Sequence, residues 1–239
     1  MSNNGRKSIA ANELLARDLG HFGTILADPP WQFSNRTGKM APEHKRLSRY
    51  STMTLQEILE LPVASLALPQ SHLYLWVPNA LVLEGLEVMK RWGFTYKTNL
   101  VWYKIRKDGG PDGRGVGFYF RNVTELILFG TRGRLRTLSP GRRQVNILLT
   151  RKREHSRKPD EFYDIIESCS PGPYLELFAR HRRKGWVQWG DEIRVLSPTI
   201  QNVQKYAVGN DREHTRQMSI LERQSQYRLK KKRILKAVR

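Results

Sequence analysis

Four consecutive residues, Asp28, Pro29, Pro30 and Trp31, set a carboxylate, two rigid imino acids and a large aromatic directly after the apolar run FGTILA. Together they can serve one planar amine. A carboxylate oxygen and a proline carbonyl in fixed positions can each accept a hydrogen bond from the same exocyclic amino group, while an indole beside them offers a stacking face for a flat base. Two such acceptors draw the nitrogen towards sp³ geometry and free its lone pair for attack on an electrophilic methyl. The rival chemistry, methylation at cytosine carbon-5, needs a thiolate nucleophile. The single cysteine, Cys169, falls inside a predicted helix, away from any proline-bounded corner. A DPP turn is also a plain structural stop for a strand, and these four residues alone leave both readings open.

The elements that would hold this corner are visible in the surrounding pattern. FGTILA (residues 22–27) is short, apolar and partly β-branched, and the prolines after it remove two ladder donors, which predicts a strand ending near Asp28. Ligands of open α/β sheets bind at the carboxyl ends of strands, so the corner lies where a site is expected. TLQEILEL places Thr54 and Glu57 at capping-box spacing ahead of a short amphipathic helix. HLYLWVP (72–78) reads as a buried strand and NALVLEGLEVMKRWG as a helix capped by Asn79 and stopped by Gly93. YKTNLVWYKI (96–105) reads as the returning strand, which makes a unit of a parallel sheet. TELILFG (124–130) and YLELFA (174–179) are further strands, KPDEFYDIIESC is a helix opened by Pro159, and WVQWG (186–190) is a last edge strand. Residues 32–51 and the glycine-rich 106–122 read as long loops. Beyond residue 196 apolar periodicity gives way to charge, which predicts one domain over 1–196 and a basic extension over 197–239.

Charge bounds the partners. The net charge of +20 and pI of about 10.4 point to a polyanion, with nucleic acid the better fit and an anionic membrane surface second. Arg106, Lys107, Arg114, Arg142 and Arg143, with the tail YRLKKKRILKAVR, are expected to add sequence-independent phosphate affinity, the arginines and Lys107 beside the site. One cysteine excludes an internal disulfide and a cysteine-based zinc cluster, and His155 has no partner at ligand spacing, so no metal site is expected. No run of about 18 apolar residues and no signal-peptide core occur, which leads to the expectation of a soluble protein of the cytoplasm, at the nucleoid of a bacterial or phage-infected cell. Trp76, Trp92, Trp102, Phe118 and Tyr119 are assigned to packing, leaving Trp31 as the one functional aromatic.

DPPW resembles the catalytic tetrapeptide of amino-methyltransferases, and further blocks narrow the likeness. YSTMTLQEI, LYLWVPNALVLEGLEVMKRWGFTYKTNLVWYK, HSRKPDEFYDIIESCSPGPYLELFAR and WVQWGDEI are similar, in order and spacing, to the MT-A-seventy family of adenine-N6 methyltransferases, over roughly residues 22–194. That family holds both messenger-RNA methyltransferases and bacterial and phage DNA methyltransferases. The resemblance implies a Rossmann-like class I α/β fold, a mostly parallel twisted sheet with flanking helices, in which the DPPW corner precedes the cofactor strand. It implies S-adenosylmethionine as cofactor, Asp28, Pro29 and Pro30 as catalytic residues, Trp31 as base platform, and Tyr50 beside the target base. Lys158 and Arg180 would bind the cofactor, Asp28 would also border its sulfonium, His181 is placed loosely with them, and Asp191 and Glu192 would hold its ribose hydroxyls. The chain departs from the family in carrying Asp191 and Glu192 where GNQ is usual. No glycine interrupts LELFAR. The expected substrate is a flipped adenine in DNA, with RNA the alternative, a catalytically silent subunit a further one, and a homo-oligomer or heteromer open.

Overall fold

Phe22–Ala27 forms strand β1, buried at every residue, as an unbroken apolar run requires of a strand covered on both faces. The computed structural model describes residues 14, 21–32, 52–113, 119–139, 141–151 and 158–190. Tyr50, Arg114, Phe118, His155, Asp191, Glu192 and the extension over 197–239 lie outside them.

The remaining strands are β2 (Ala67–Val77), β3 (Thr95–Ile105), β4 (Thr124–Arg132), β5 (Ile147–Arg151), β6 (Tyr174–Leu177) and β7 (Trp186–Trp189). They join β1 in one seven-stranded sheet of order β5-β3-β4-β2-β1-β6-β7. β1 is parallel to β2 and β6, β6 to β7, and β3 to β5, while β4 runs antiparallel between β2 and β3. The sheet is therefore mostly parallel, a Rossmann-like α/β architecture. β2 and β3 point the same way as predicted, yet β4 is inserted between them. All six co-directional strands end at the edge where Asp28 stands, and β4 begins there.

Alternation along the strands builds two cores. On one face Ile25, Ala27, Leu73, Leu75, Val77 and Leu177 pack under helices α1 (Leu55–Leu59), α2 (Val63–Leu66) and α3 (Val82–Arg91). On the other, Leu26, Tyr74, Trp76, Ile127 and Phe129 meet Phe162 and Ile166 of α4 (Asp160–Cys169). α3 lies close on β2, because a Cβ at Gly85 would come within 2.6 Å of Val77. The Thr54–Glu57 capping box is present in both directions. Gly93, at φ 82°, ends α3 while Phe94 N–H donates to Met89 and Gly93 N–H to Lys90, the pattern of a Schellman stop.

Two expectations fail locally. Asn79 does not cap α3: residues Asn79–Leu81 form a 3₁₀ turn, the cap is Leu81 without a side-chain bond, and Asn79 Nδ2 instead donates to the carbonyl and hydroxyl of Thr124. That tie engages the amide at the start of β4, and the 3₁₀ turn puts Asn79 two residues ahead of the position that caps α3. The sequence does not predict β5, in which three of five residues alternate to the solvent at a sheet edge, too weak a pattern to separate from loop.

Candidate active site

Beyond β1 the chain folds sharply about the two prolines. Trp31 N–H donates to the Pro29 carbonyl at 2.8 Å, and Met53 N–H to the Pro30 carbonyl at 2.9 Å, so residues 29–31 are held by their own turn and by the segment before α1. A carbonyl oxygen has two lone pairs, and Pro29 keeps one for a ligand. Trp31 is the correction here. Its ring is only 6% exposed, and its indole N–H donates to the Trp76 carbonyl at 2.9 Å, so it wedges the corner against β2 rather than presenting a stacking face.

Asp28 opens onto a cleft of about 350 Å³, its open mouth included, lined also by Trp76, Lys158, Tyr163, Glu176, Phe178, Arg180 and His181. Four of the residues expected from sequence, Asp28, Lys158, Arg180 and His181, thus meet in one place. Lys158 arrives from the approach to α4. Its Nζ is 3.0 Å from Asp28 Oδ2 and 3.2 Å from Glu125 Oε2, and it lies 4.1 Å above the Trp76 ring. Glu125 is also bonded by Lys104. Burial would raise the Glu125 carboxyl, but the ammoniums of Lys158 and Lys104 overcome it and hold the group down at about 2. Burial would likewise lower Lys158, and Asp28 and Glu125 reverse that, so its charge is retained.

The floor is a second carboxylate, Glu176 on β6. It accepts from Tyr163 Oη at 2.7 Å and Gln188 Nε2 at 2.6 Å, and burial pushes its carboxyl up against those bonds. Immediately after β6, Phe178 takes φ 65°, a left-handed conformation costly for a residue with a Cβ. The turn normally made by glycine is made here under strain. Its ring packs edge-on against Trp189 at 5.4 Å, and Ala179 N–H donates to the Trp189 carbonyl. This brings Arg180 to the cleft.

Glu125, Trp76, Lys104, Glu176 and Tyr163 were missed by sequence reasoning. A signal existed for the two acids: TELILFG and YLELFA each carry one carboxylate in an apolar strand, and such acids are rarely buried unpaired. No sequence pattern reveals that Trp76, assigned to packing, lies beneath a lysine. Tyr119 and Phe120, by contrast, are 94% and 85% exposed on the β3–β4 loop, at the same sheet edge as Asp28. The open aromatics therefore belong to that loop, not to Trp31. Cys169 lies at the far end of α4 from Lys158, its thiol donating to the Gly141 carbonyl and pushed up by burial, which removes it from chemistry at Asp28. Among the described residues no cluster of three or more His, Cys, Asp or Glu could hold a metal, and no helix is long and apolar enough to cross a membrane.

The cleft suits an amphoteric nucleoside cofactor. Lys158 and Arg180 can meet a carboxylate, Asp28 and Glu176 an ammonium or hydroxyls, and the indole Nε1 of Trp76 is buried without a hydrogen-bond partner.

A Rossmann-like sheet with an acid–proline corner and a mixed-charge cleft at its strand ends defines a group-transfer enzyme of the methyltransferase class. The profile of the MT-A70 family matches residues 22–192, and the chain belongs to that family of S-adenosylmethionine-dependent methyltransferases. The chain is 31% identical over 201 residues to the N(6)-adenosine-methyltransferase MT-A70-like protein of Drosophila melanogaster, covering 80% of this chain and 31% of that protein. It is 29% identical over 189 residues to the human N(6)-adenosine-methyltransferase catalytic subunit METTL3, covering 76% and 30%. It is 28% identical over 191 residues to the type II methyltransferase M.MunI of Mycoplasma sp, covering 72% and 78%. The chain thus spans under a third of the length of the first two relatives.

Proposed function

We propose that the chain methylates the exocyclic N6 amine of adenine in DNA, with S-adenosylmethionine as donor. The observation that carries this is Asp28, exposed to the cleft at the end of β1, with the Pro29 carbonyl fixed beside it and Lys158 and Arg180 facing it.

In this reading Asp28 and Pro29 accept the two amine hydrogens, so that the lone pair would attack the methyl directly, with no covalent enzyme intermediate. As the N–C bond forms the S–C bond would break, leaving a neutral thioether, and the surplus amine proton would pass through Asp28 to solvent. Asp28 spends one oxygen on Lys158 and retains lone pairs for the amine. Lys158 and Arg180 would hold the cofactor carboxylate and Asp28 its ammonium, with Glu176 below; bound there, the cofactor supplies an activated methyl. His181, Tyr50, Asp191 and Glu192 keep the cofactor and base-pocket roles assigned by the resemblance. Pro30 sets the corner by locking its backbone. Flipping the adenine costs a few kcal/mol, offset by hydrogen bonds at its edge and by stacking, which the exposed Tyr119 and Phe120 are placed to provide.

DNA is favoured over RNA by the match to the type II methyltransferase, which spans 78% of that protein, against about 30% of the adenosine methyltransferases. The setting proposed is the cytoplasm, at the nucleoid. Nucleoside mass spectrometry after incubating the chain with labelled cofactor and either DNA or RNA is the test. N6-methyladenine in DNA is expected; methylation of RNA alone moves the substrate, and no label in either overturns the reading.

A further inference from the structure

From Leu126 to Arg153 the chain contains arginine and lysine but no Asp or Glu. Within that span, residues 133–143 form a basic loop at the end of β4. Since β4 runs against its neighbours, with Arg132 paired to Ser71 near the start of β2, the loop lies at the sheet edge opposite Asp28. It docks on the C-terminal end of α4: Leu138 N–H donates to the Cys169 carbonyl, and Gly141 lies against Ser168 and Cys169. Ten residues of α4 at about 1.5 Å each separate this loop from Lys158 by roughly 15 Å. Arg142 and Arg143 are therefore not beside the site, as their sequence suggested.

The loop backbone is built, not loose. Gly133 takes φ 69° with a Cβ position 2.6 Å from the Pro69 carbonyl, His72 Nε2 reaches the Leu135 carbonyl at 3.4 Å, and Arg142 N–H donates to Leu138. Arg134, Arg136, Arg142 and Arg143 are exposed on it. Among the described residues none of the four pairs with a carboxylate. The nearby acids of α4 are already engaged, as Arg183 takes Asp164 and Glu167. The helix C-terminus carries only about half a negative charge, too little to account for four guanidiniums.

We infer that this loop is a second phosphate-binding surface, remote from the catalytic corner, that grips the nucleic-acid backbone on one side of the target base. The inference rests on the nucleic-acid reading above. A membrane is the weaker fit, because among the described residues of the loop only Leu138, 38% exposed, is a large apolar side chain open to solvent, against four exposed arginines. At about 3.4 Å per phosphate along a strand, 15 Å corresponds to four or five nucleotides, so a substrate must extend at least that far from the adenine to reach it.

The test compares wild type with R134Q/R136Q, whose side chains hold nothing in the described structure, and with R134Q/R136Q/R142Q/R143Q. Binding to duplexes of about 6 and about 24 base pairs is titrated against salt. Cofactor affinity and melting temperature report folding. The expected result is at least a tenfold loss of affinity for the longer duplex in the quadruple variant, about half that effect in logarithm for the double, and a salt slope shallower by up to about 3.6. The 6-base-pair duplex, with its adenine central and only about three pairs on either side, does not reach the loop and should lose far less. An unchanged slope with wild-type methyl transfer overturns this surface alone. An arginine-dependent slope without any methyl transfer supports the surface and overturns the catalytic reading. Arginine-dependent binding of polyglutamate with none of DNA assigns the loop to an acidic protein and overturns the inference.

Discussion

Lys158 Nζ stands 3.0 Å from Asp28 Oδ2, so the carboxylate at the end of β1 is engaged by a lysine from the approach to α4. The pair joins the corner to the cofactor side of the cleft. Two lysine contacts, to Asp28 and Glu125, and the Trp76 ring below hold one ammonium in a fixed position, where a cofactor carboxylate would compete for it.

Replacing Asp28 with Ala is expected to reduce methyl transfer at least about a hundredfold, the scale of losing a positioned polar group at a reacting centre. Folding should survive, since Asp28 is part-exposed and at a strand end. A labelled-methyl assay alongside thermal melting checks both; near wild-type turnover would remove Asp28 from the chemistry.

Lys158→Met should act differently. It keeps the stem over Trp76 but leaves two carboxylates without their shared cation, so KM for the cofactor should rise at least about tenfold, a change of about 1.4 kcal/mol, with a smaller effect on kcat. Steady-state kinetics in both substrates separates the two.

Glu125 makes acid stability a readout of the site. Its carboxyl is held at about 2 in the fold against an ordinary 4.5, so its stabilisation is present above 4.5 and is lost as the pH falls towards 2. Glu125→Gln should cost roughly 1–3 kcal/mol near neutrality, for it removes the carboxylate partner of Lys104 and leaves Lys158 with Asp28 alone, and the gap between variant and wild type should narrow between pH 5 and about 2. Urea unfolding as a function of pH measures this. A gap that stays constant would show that the ion pairs do not set it.

Tyr119→Ala should weaken binding of a base-containing substrate by about 1–3 kcal/mol if the ring stacks, whereas Tyr119→Phe should bind like wild type. Fluorescence anisotropy with a short single strand distinguishes them. Equal losses in both variants would point to the hydroxyl instead.

Gly190→Ala tests the floor of the cleft. A Cβ there would collide with the carbonyl and the N of Ala179, both main chain and unable to yield, so β6 and β7 would separate where Phe178 already sits at positive φ. A stability loss of roughly 1–3 kcal/mol together with weaker cofactor binding is expected by calorimetry. An unperturbed variant would mean that the exit of β6 is not tightly set.

Local chemistry is what the chain alone determines. The end of β1 is written in Pro29 and Pro30, α1 in the Thr54–Glu57 box, the stop of α3 in Gly93, and the opening of α4 in Pro159, because propensity, capping and missing donors act over a few residues. The family blocks add Asp28, Lys158 and Arg180 as a set. Tertiary structure decides what depends on strand order and facing. It inserts β4 antiparallel between β2 and β3, which brings Glu125 to Lys158 and sends the arginines of residues 133–143 to the opposite edge. It also turns Trp31 inwards and leaves Tyr119 in solvent. Neither outcome follows from a local pattern, since a buried aromatic ring and an exposed one read alike in sequence, and a charge finds its partner only after distant strands have paired.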